Sequence, residues 1–172
     1  MHMICTKPRH SAAGYALLEA LVAVVVASIG FIGAARMQTA GMSLSNSAQS
    51  RQKATMLAYQ MTDRIRANRA GVESGAYFNP VAGDNTCLHN GAGCNSPAQM
   101  AAADLREWLN DIAAQLPRGE GVVCRDGTNN SAADKAATAA SPGCDDTGDI
   151  IAVKIFWTDN VNTTRFVTMV RP

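Results

Sequence analysis

The chain has little of the usual means of catalysis. It carries three histidines in 172 residues, and two of them, His2 and His10, fall at its very start. The third, His89, sits in a stretch of Gly and Asn. No G-x-S-x-G, H-E-x-x-H or phosphate-loop pattern occurs. The residues therefore point away from an enzyme, and none calls for a cofactor. Net charge is nearly absent as well. Fifteen Lys and Arg stand against 14 Asp and Glu, for a formal net charge of +1. That balance gives no electrostatic reason to expect a general binder of nucleic acid or anionic lipid. Proline is missing from Tyr15 to Phe78, so nothing of that kind interrupts a helix there. Charge is all but missing from Tyr15 to Ala35, where Glu19 is the one charged side chain.

What this apolar run contains sets the frame for the rest. As a helix, its length of about 31 Å matches the roughly 30 Å hydrocarbon thickness of a bilayer. It is apolar all round, so it reads as a membrane span. A carboxylate inside such a segment costs a few kcal/mol, which makes Glu19 a functional hypothesis in itself. Residues 1–14 hold Lys7, Arg9 and His10 and no acid, and end in Ser11-Ala12-Ala13-Gly14. A secretory signal places its small-residue cleavage site after the apolar region and is discarded with it. Here the small residues precede that region, so a cut among them removes only the basic leader.

This arrangement resembles the class III signal of type IV pilins. In that family a prepilin peptidase cuts after the glycine, the new N-terminal residue is N-methylated, and a glutamate is the fifth mature residue. Gly14, Tyr15 and Glu19 match these positions, with Tyr15 where the family usually has Phe. The resemblance implies cleavage between Gly14 and Tyr15, methylation at Tyr15, and a role for Glu19 in assembly.

Loss of the leader removes Cys5, Lys7 and Arg9, leaving 15 − 2 = 13 basic and 14 acidic residues. Lys7 and Arg9 hold the N-terminal side in the cytoplasm by the positive-inside tendency. In a bacterium the remainder then faces the periplasm, where disulfides persist. Cys87, Cys94, Cys124 and Cys144 allow three pairings. Proximity favours Cys87–Cys94 and Cys124–Cys144. The spacings C-x6-C and C-x19-C do not suit a zinc site, whose cysteines come in closer pairs. No metal is expected. Asp145, Asp146 and Asp149 offer oxygen ligands, but not in the order of a calcium loop, and read as solvated acids.

The helix is expected to run on past the membrane. Ala54, Leu57, Ala58, Met61 and Ile65 recur at helical spacing, with Gln60, Asp63, Arg64 and Arg66 mainly on the other side. The charged trio reads as a solvated face with i,i+3 pairing. Residues 15–69 would measure about 80 Å. Gly30, Gly33 and Gly41 either weaken this helix or let neighbouring helices approach. A meltable point is plausible near Gly41–Ser47, and Gly71 and Gly75 are expected to end the helix.

Next comes a loop over 76–95, which a Cys87–Cys94 bridge would close. Ser96-Pro97-Ala98-Gln99 has the form of a capping box with Pro at the first helical position. Ala101, Leu105, Trp108, Leu109, Ile112 and Leu116 then mark a helix that Pro117 ends. Asp104, Arg106, Glu107 and Asp111 read as its solvated face, and Trp108 as core. Strands are expected at 121–126, 149–159 and 164–172, the last two forming a hairpin through Asp159-Asn160-Val161-Asn162-Thr163. In the middle one, Ile151, Val153, Ile155 and Trp157 share a face and Lys154 takes the other. In the last, Arg165 and Arg171 are expected outward, and Phe166 and Val170 inward. Residues 127–149 are poor in large apolar side chains and read as a mobile surface loop, a plausible partner contact.

Two stretches carry a narrower resemblance. AYQMTDRIRANRAGVESGAY (58–77) and DLREWLNDIAAQLPRGEG (104–121) are similar to the PilV group of minor pilins. The implied fold is α+β and pilin-like: a long N-terminal helix packed on a small antiparallel sheet, with one further helix. The implied organisation is a cleaved leader (1–14), a helix (15–70, with a transmembrane and polymerisation part at 15–35 and an amphipathic half at 36–70), and a periplasmic head (71–172). The implied function is that of a minor pilin, priming assembly of the type IV pilus or forming part of its tip, in adhesion or twitching motility. Implied partners are other minor pilins, the major pilin, the prepilin peptidase, the inner-membrane assembly platform and a tip adhesin. The chain would sit in the inner membrane with one pass and its head in the periplasm, then in the fibre or tip. A pseudopilin of a type II secretion system shares the N-terminal signal. A DNA-uptake pilin would need Arg106, Arg118, Arg125 and Arg165 gathered into one patch, so nucleic acid is not the expected partner.

Overall fold

A computed structural model describes residues 13–78, 82–127, 137–159 and 162–171. Most of the expected leader (1–12), residues 128–136 of the expected loop, and Asn160-Val161 in the hairpin lie outside the described residues. The chain divides into two compact units, one ending at Ser45 and the other beginning at Asn46.

The first unit is helical. Helix α1 runs Ala13–Ala67 and so extends into the second unit. Within the apolar run the hydroxyl of Ser28 donates to the Val24 carbonyl at 2.7 Å. Thr39, just beyond it, reaches back to Ala35 at 3.1 Å. Such back-bonding satisfies a hydroxyl without any external partner. The turns from Gly41 to Ser47 are helical like the rest, so the expected weak point is not expressed as a break. By length and composition this helix is able to cross a membrane.

The second unit is an α+β domain. Ala54, Leu57, Ala58, Met61 and Ile65 of α1 are wholly buried, which is the stripe their spacing predicts. Helix α1 does not run to residue 70. It stops before Asn68, whose φ of −101° and ψ of 63° leave the helical region. The Asn68 side chain then caps a short helix α2, Arg69–Glu73, by accepting from the Gly71 amide at 3.0 Å. Gly71 belongs to this second helix rather than ending the first, and Gly75, at φ +76°, is where the chain turns away.

Helix α3 spans Pro97–Gln115. Ser96 caps it by accepting from the Gln99 amide at 3.1 Å, while the Gln99 side chain accepts from the amide of Asn95 at 2.7 Å. The reciprocal bond thus lands one residue before the cap. A single 3₁₀ turn, Thr86–Leu88, lies in the preceding loop. The expectation of one further helix is therefore short by α2 and this turn.

Three antiparallel strands, β1 (Glu120–Arg125), β2 (Ile151–Asp159) and β3 (Asn162–Val170), pair in the order β1-β2-β3. The hairpin ladder extends to Asp159 opposite Asn162, so β2 ends where expected and β3 begins two residues earlier than expected. Ile151, Val153, Ile155 and Trp157 join the core with Trp108, Ile112 and Leu57. The opposite face of β2 is not solvated. Ala152, Lys154 and Phe156 are each at most 2 % exposed. Residues 138–143, shortly before Cys144, lie over that face, since Lys154 donates to the Pro142 carbonyl at 2.9 Å and Phe156 lines a cleft with Thr138 and Ala139.

Candidate functional site

The positions singled out by the resemblance lie at the start of α1. The helix begins at Ala13, which puts the Gly14–Tyr15 peptide in its first turn. Tyr15 is 83 % exposed, and Leu17, Leu18, Leu21, Val24, Ile29 and Phe31 are all exposed alongside it. Glu19 is exposed in the same surface. No part of the most apolar window of this helix is buried within the described residues. A continuous apolar surface of that size is not left in water, because each large aliphatic side chain gains about 1.5–3 kcal/mol on burial. The chemistry available is therefore association with lipid or with other apolar helices, with Glu19 as the one charge to be matched.

In the second unit a polar network ties α1 to α3. Arg64 donates to Asp104 at 3.2 Å and to Glu107 at 2.8 Å. Tyr77 donates to the other oxygen of Asp104 at 2.7 Å, and Asn68 donates both to Tyr77 and to the Pro97 carbonyl. Burial pushes the Tyr77 phenol well above its ordinary range, and the bond to Asp104 pushes it the same way. The expectation that Arg64 and Asp104 belong to solvated helix faces is corrected. Asp104 is 6 % exposed because Arg64 and Tyr77 cover it, and a buried carboxylate needs such partners. Asp63 and Arg66 do form the exposed i,i+3 pair, at 3.7 Å. His89 stands 3.8 Å from Glu107 at the rim of this network. A cleft of about 410 Å³ opens beside it, between Asn68, Met100 and Cys94. The charged residues on its wall, Arg64 and Asp104, are already matched to each other, so the arrangement serves to hold helices together.

Both cysteine pairs are bonded, Cys87 to Cys94 with 4.8 Å between Cα atoms and Cys124 to Cys144 with 6.3 Å. The second bridge is reinforced from below. Lys154, expected on the far face of β2, is 1 % exposed and lies 2.5 Å from Asp126, which is fully buried. Its ammonium also reaches the carbonyls of Pro142 and Gly143, next to Cys144. Asp145 accepts from the amides of Gly127 and Thr147 at 2.9 Å each, which makes it a turn-forming residue. Among the described residues no group of three His, Cys, Asp or Glu is placed to hold a metal ion.

The four arginines of the DNA-uptake alternative do not gather. Arg106 is directed to the carbonyls of Ala82 and Gly83. Arg165 stands opposite Phe156, and Arg125 opposite Ile151, five residues away along β2. That separation is about 17 Å at the rise of a strand. Asp104, expected on a solvated helix face, and Lys154, expected on the face of β2 opposite the core residues, are thus the polar anchors of the domain. The chain matches no protein-family model, no curated protein and no solved structure.

Proposed function

We propose that this chain is a minor pilin of a type IV pilus system, made with a basic leader, cut between Gly14 and Tyr15 by a prepilin peptidase, and methylated at Tyr15. The observation that carries this reading is the uncovered apolar surface from Tyr15 onward with Glu19 set in it. The α+β domain that follows, with its two disulfides, supports placing the head in an oxidising compartment such as the periplasm. The subunit waits in the inner membrane and then passes its apolar helix from lipid into a bundle of like helices, at the tip of the fibre or in the complex that primes it.

In that transfer the aliphatic side chains exchange one apolar environment for another, so their contribution changes little. Glu19 is different. An isolated charge in a membrane helix costs up to roughly 3 kcal/mol on insertion scales, the full figure applying at the helix centre and less towards the end where Glu19 lies. The ammonium created at Tyr15 of an adjacent subunit is its natural partner. Either charge alone is penalised, whereas the pair offsets part of that cost and fixes the stagger between subunits.

Glu19→Ala tests this reading in the cell that makes the protein. The variant is expected to fractionate with the inner membrane like the parent but to be lost from isolated pili and from crosslinked complexes with other pilins. Incorporation at the parental level would overturn the role of Glu19.

A further inference from the structure

The register of the sheet brings two arginines to one end of it. Arg125 closes β1 opposite Ile151, and Arg171 follows Val170, which faces Ile151 from the other side. With Arg69 of α2 they line a cleft of about 660 Å³. That volume falls within the range of small-ligand and side-chain pockets, about 300–1,000 Å³. The Arg125 guanidinium sits 3.8 Å from the centroid of the Phe78 ring, and its Nε is shut off from solvent with no hydrogen-bond acceptor among the described residues. The stacking contact fixes this guanidinium before any ligand arrives, so less side-chain freedom is lost on binding. Arg69 is engaged by Glu73 at 2.9 Å, on the open surface. Neither Arg125 nor Arg171 forms an ion pair among the described residues.

We propose that this cleft binds an acidic peptide segment of a partner protein, with a carboxylate side chain held between Arg125 and Arg171 and an adjoining apolar residue against Phe78. Planar guanidinium groups match the two oxygens of a carboxylate. The apolar wall supplied by Phe78 and Val72 gives a peptide a contact that a free inorganic anion cannot use. Nucleic acid is disfavoured by Glu73 and Asp149 on the same walls. A phosphate backbone carries a charge at every step and meets those acids, whereas a short peptide carries its charge only at the acidic residues set against the arginines. The cleft lies at the end of the sheet, away from the apolar part of α1 in sequence, and the inference stands independently of the assembly reading.

The test uses the full chain in detergent micelles, isotope-labelled so that the arginine Nε–H signals are followed by NMR. The probe is the acetylated, amidated pentapeptide Gly-Phe-Glu-Glu-Gly, compared with its Gln-Gln counterpart and with a deoxythymidylate dodecamer. The acidic peptide is expected to shift the signals of Arg125 and Arg171 and to bind at least about tenfold more tightly than the Gln-Gln peptide. Arg171→Gln, at an exposed position after the last strand, is expected to weaken binding by a similar factor while leaving the tryptophan fluorescence of the head unchanged. Arg125→Lys keeps the charge and is expected to weaken it as well. Equal binding of the two peptides, no shift at either arginine up to about 5 mM peptide, or insensitivity to Arg171→Gln would overturn the proposal. Tighter binding of the oligonucleotide at the same arginines would also overturn it, in favour of a nucleic-acid site.

Discussion

Lys154→Met probes how the head is held together. Lys154 is 1 % exposed and Asp126 0 %, and the ammonium lies 2.5 Å from the carboxylate and 2.9 Å from the Pro142 carbonyl. Methionine is unbranched and fills an irregular site well, so the substitution leaves little void. It does leave a buried carboxylate without its cation. Breaking a buried pair from one side costs about 3–5 kcal/mol. In a domain of this size that corresponds to a fall in melting temperature of about 10 °C or more. Removing both charges is a different perturbation. In Lys154→Met/Asp126→Asn no bare charge remains, and at least about half of the loss is expected to return, as a positive coupling in the double-mutant cycle. The readout is urea unfolding followed by tryptophan fluorescence on the full chain in detergent. Both tryptophans, Trp108 and Trp157, belong to the second unit, so the signal reports the head alone. A loss below about 1 kcal/mol in the single variant, or a double variant no more stable than it, would refute the reasoning.

Two further predictions follow from the core and its polar seam. Gly121→Ala places a Cβ 2.5 Å from Cζ3 of Trp108 and 2.6 Å from Cδ1 of Ile112, both buried. Neither ring nor methyl has free space to yield, so a loss of about 1–3 kcal/mol is expected in the same unfolding assay, and parental stability would show that β1 packs elsewhere. Tyr77 has its phenol raised above the unfolded value by burial and by Asp104. Its contribution is whole below the unfolded pKa of about 10 and is lost as pH rises through the higher folded value. Head stability should therefore decline on raising the pH above about 10, with a shallower decline in Tyr77→Phe. An unchanged slope in that variant would contradict the assignment.

Much of this architecture can be read from local pattern. The apolar run from Tyr15, the Ser96-Pro97 start of α3 and the stripe from Ala54 to Ile65 are all decided within a turn or two of helix. The polar anchors are decided by what lies across from them, which periodicity does not report. Asp104 lies three residues after Ala101 and four before Trp108, so it falls on the buried stripe. Its charge drew it to the solvated side in the sequence reading, and only Tyr77 and Arg64, 27 and 40 positions away, make its burial tolerable. Lys154 has Ala152 and Phe156 two residues to either side, which is a sign that its face of β2 is covered too. The cover comes from the loop around Pro142, a segment whose composition looks like solvent-exposed surface. The break at Asn68 was hidden for a similar reason. Its side chain caps α2 and bonds to Pro97, a residue of another helix.

The proposed cleavage between Gly14 and Tyr15 bears the central claim, and the intact mass and N-terminal fragments of the protein recovered from the membranes of the cell that makes it test it directly. The account predicts a mature chain that starts at N-methylated Tyr15 and keeps the whole apolar run. A chain that still begins at Met1, or one cut after Ala35 so that the run is lost, would contradict it.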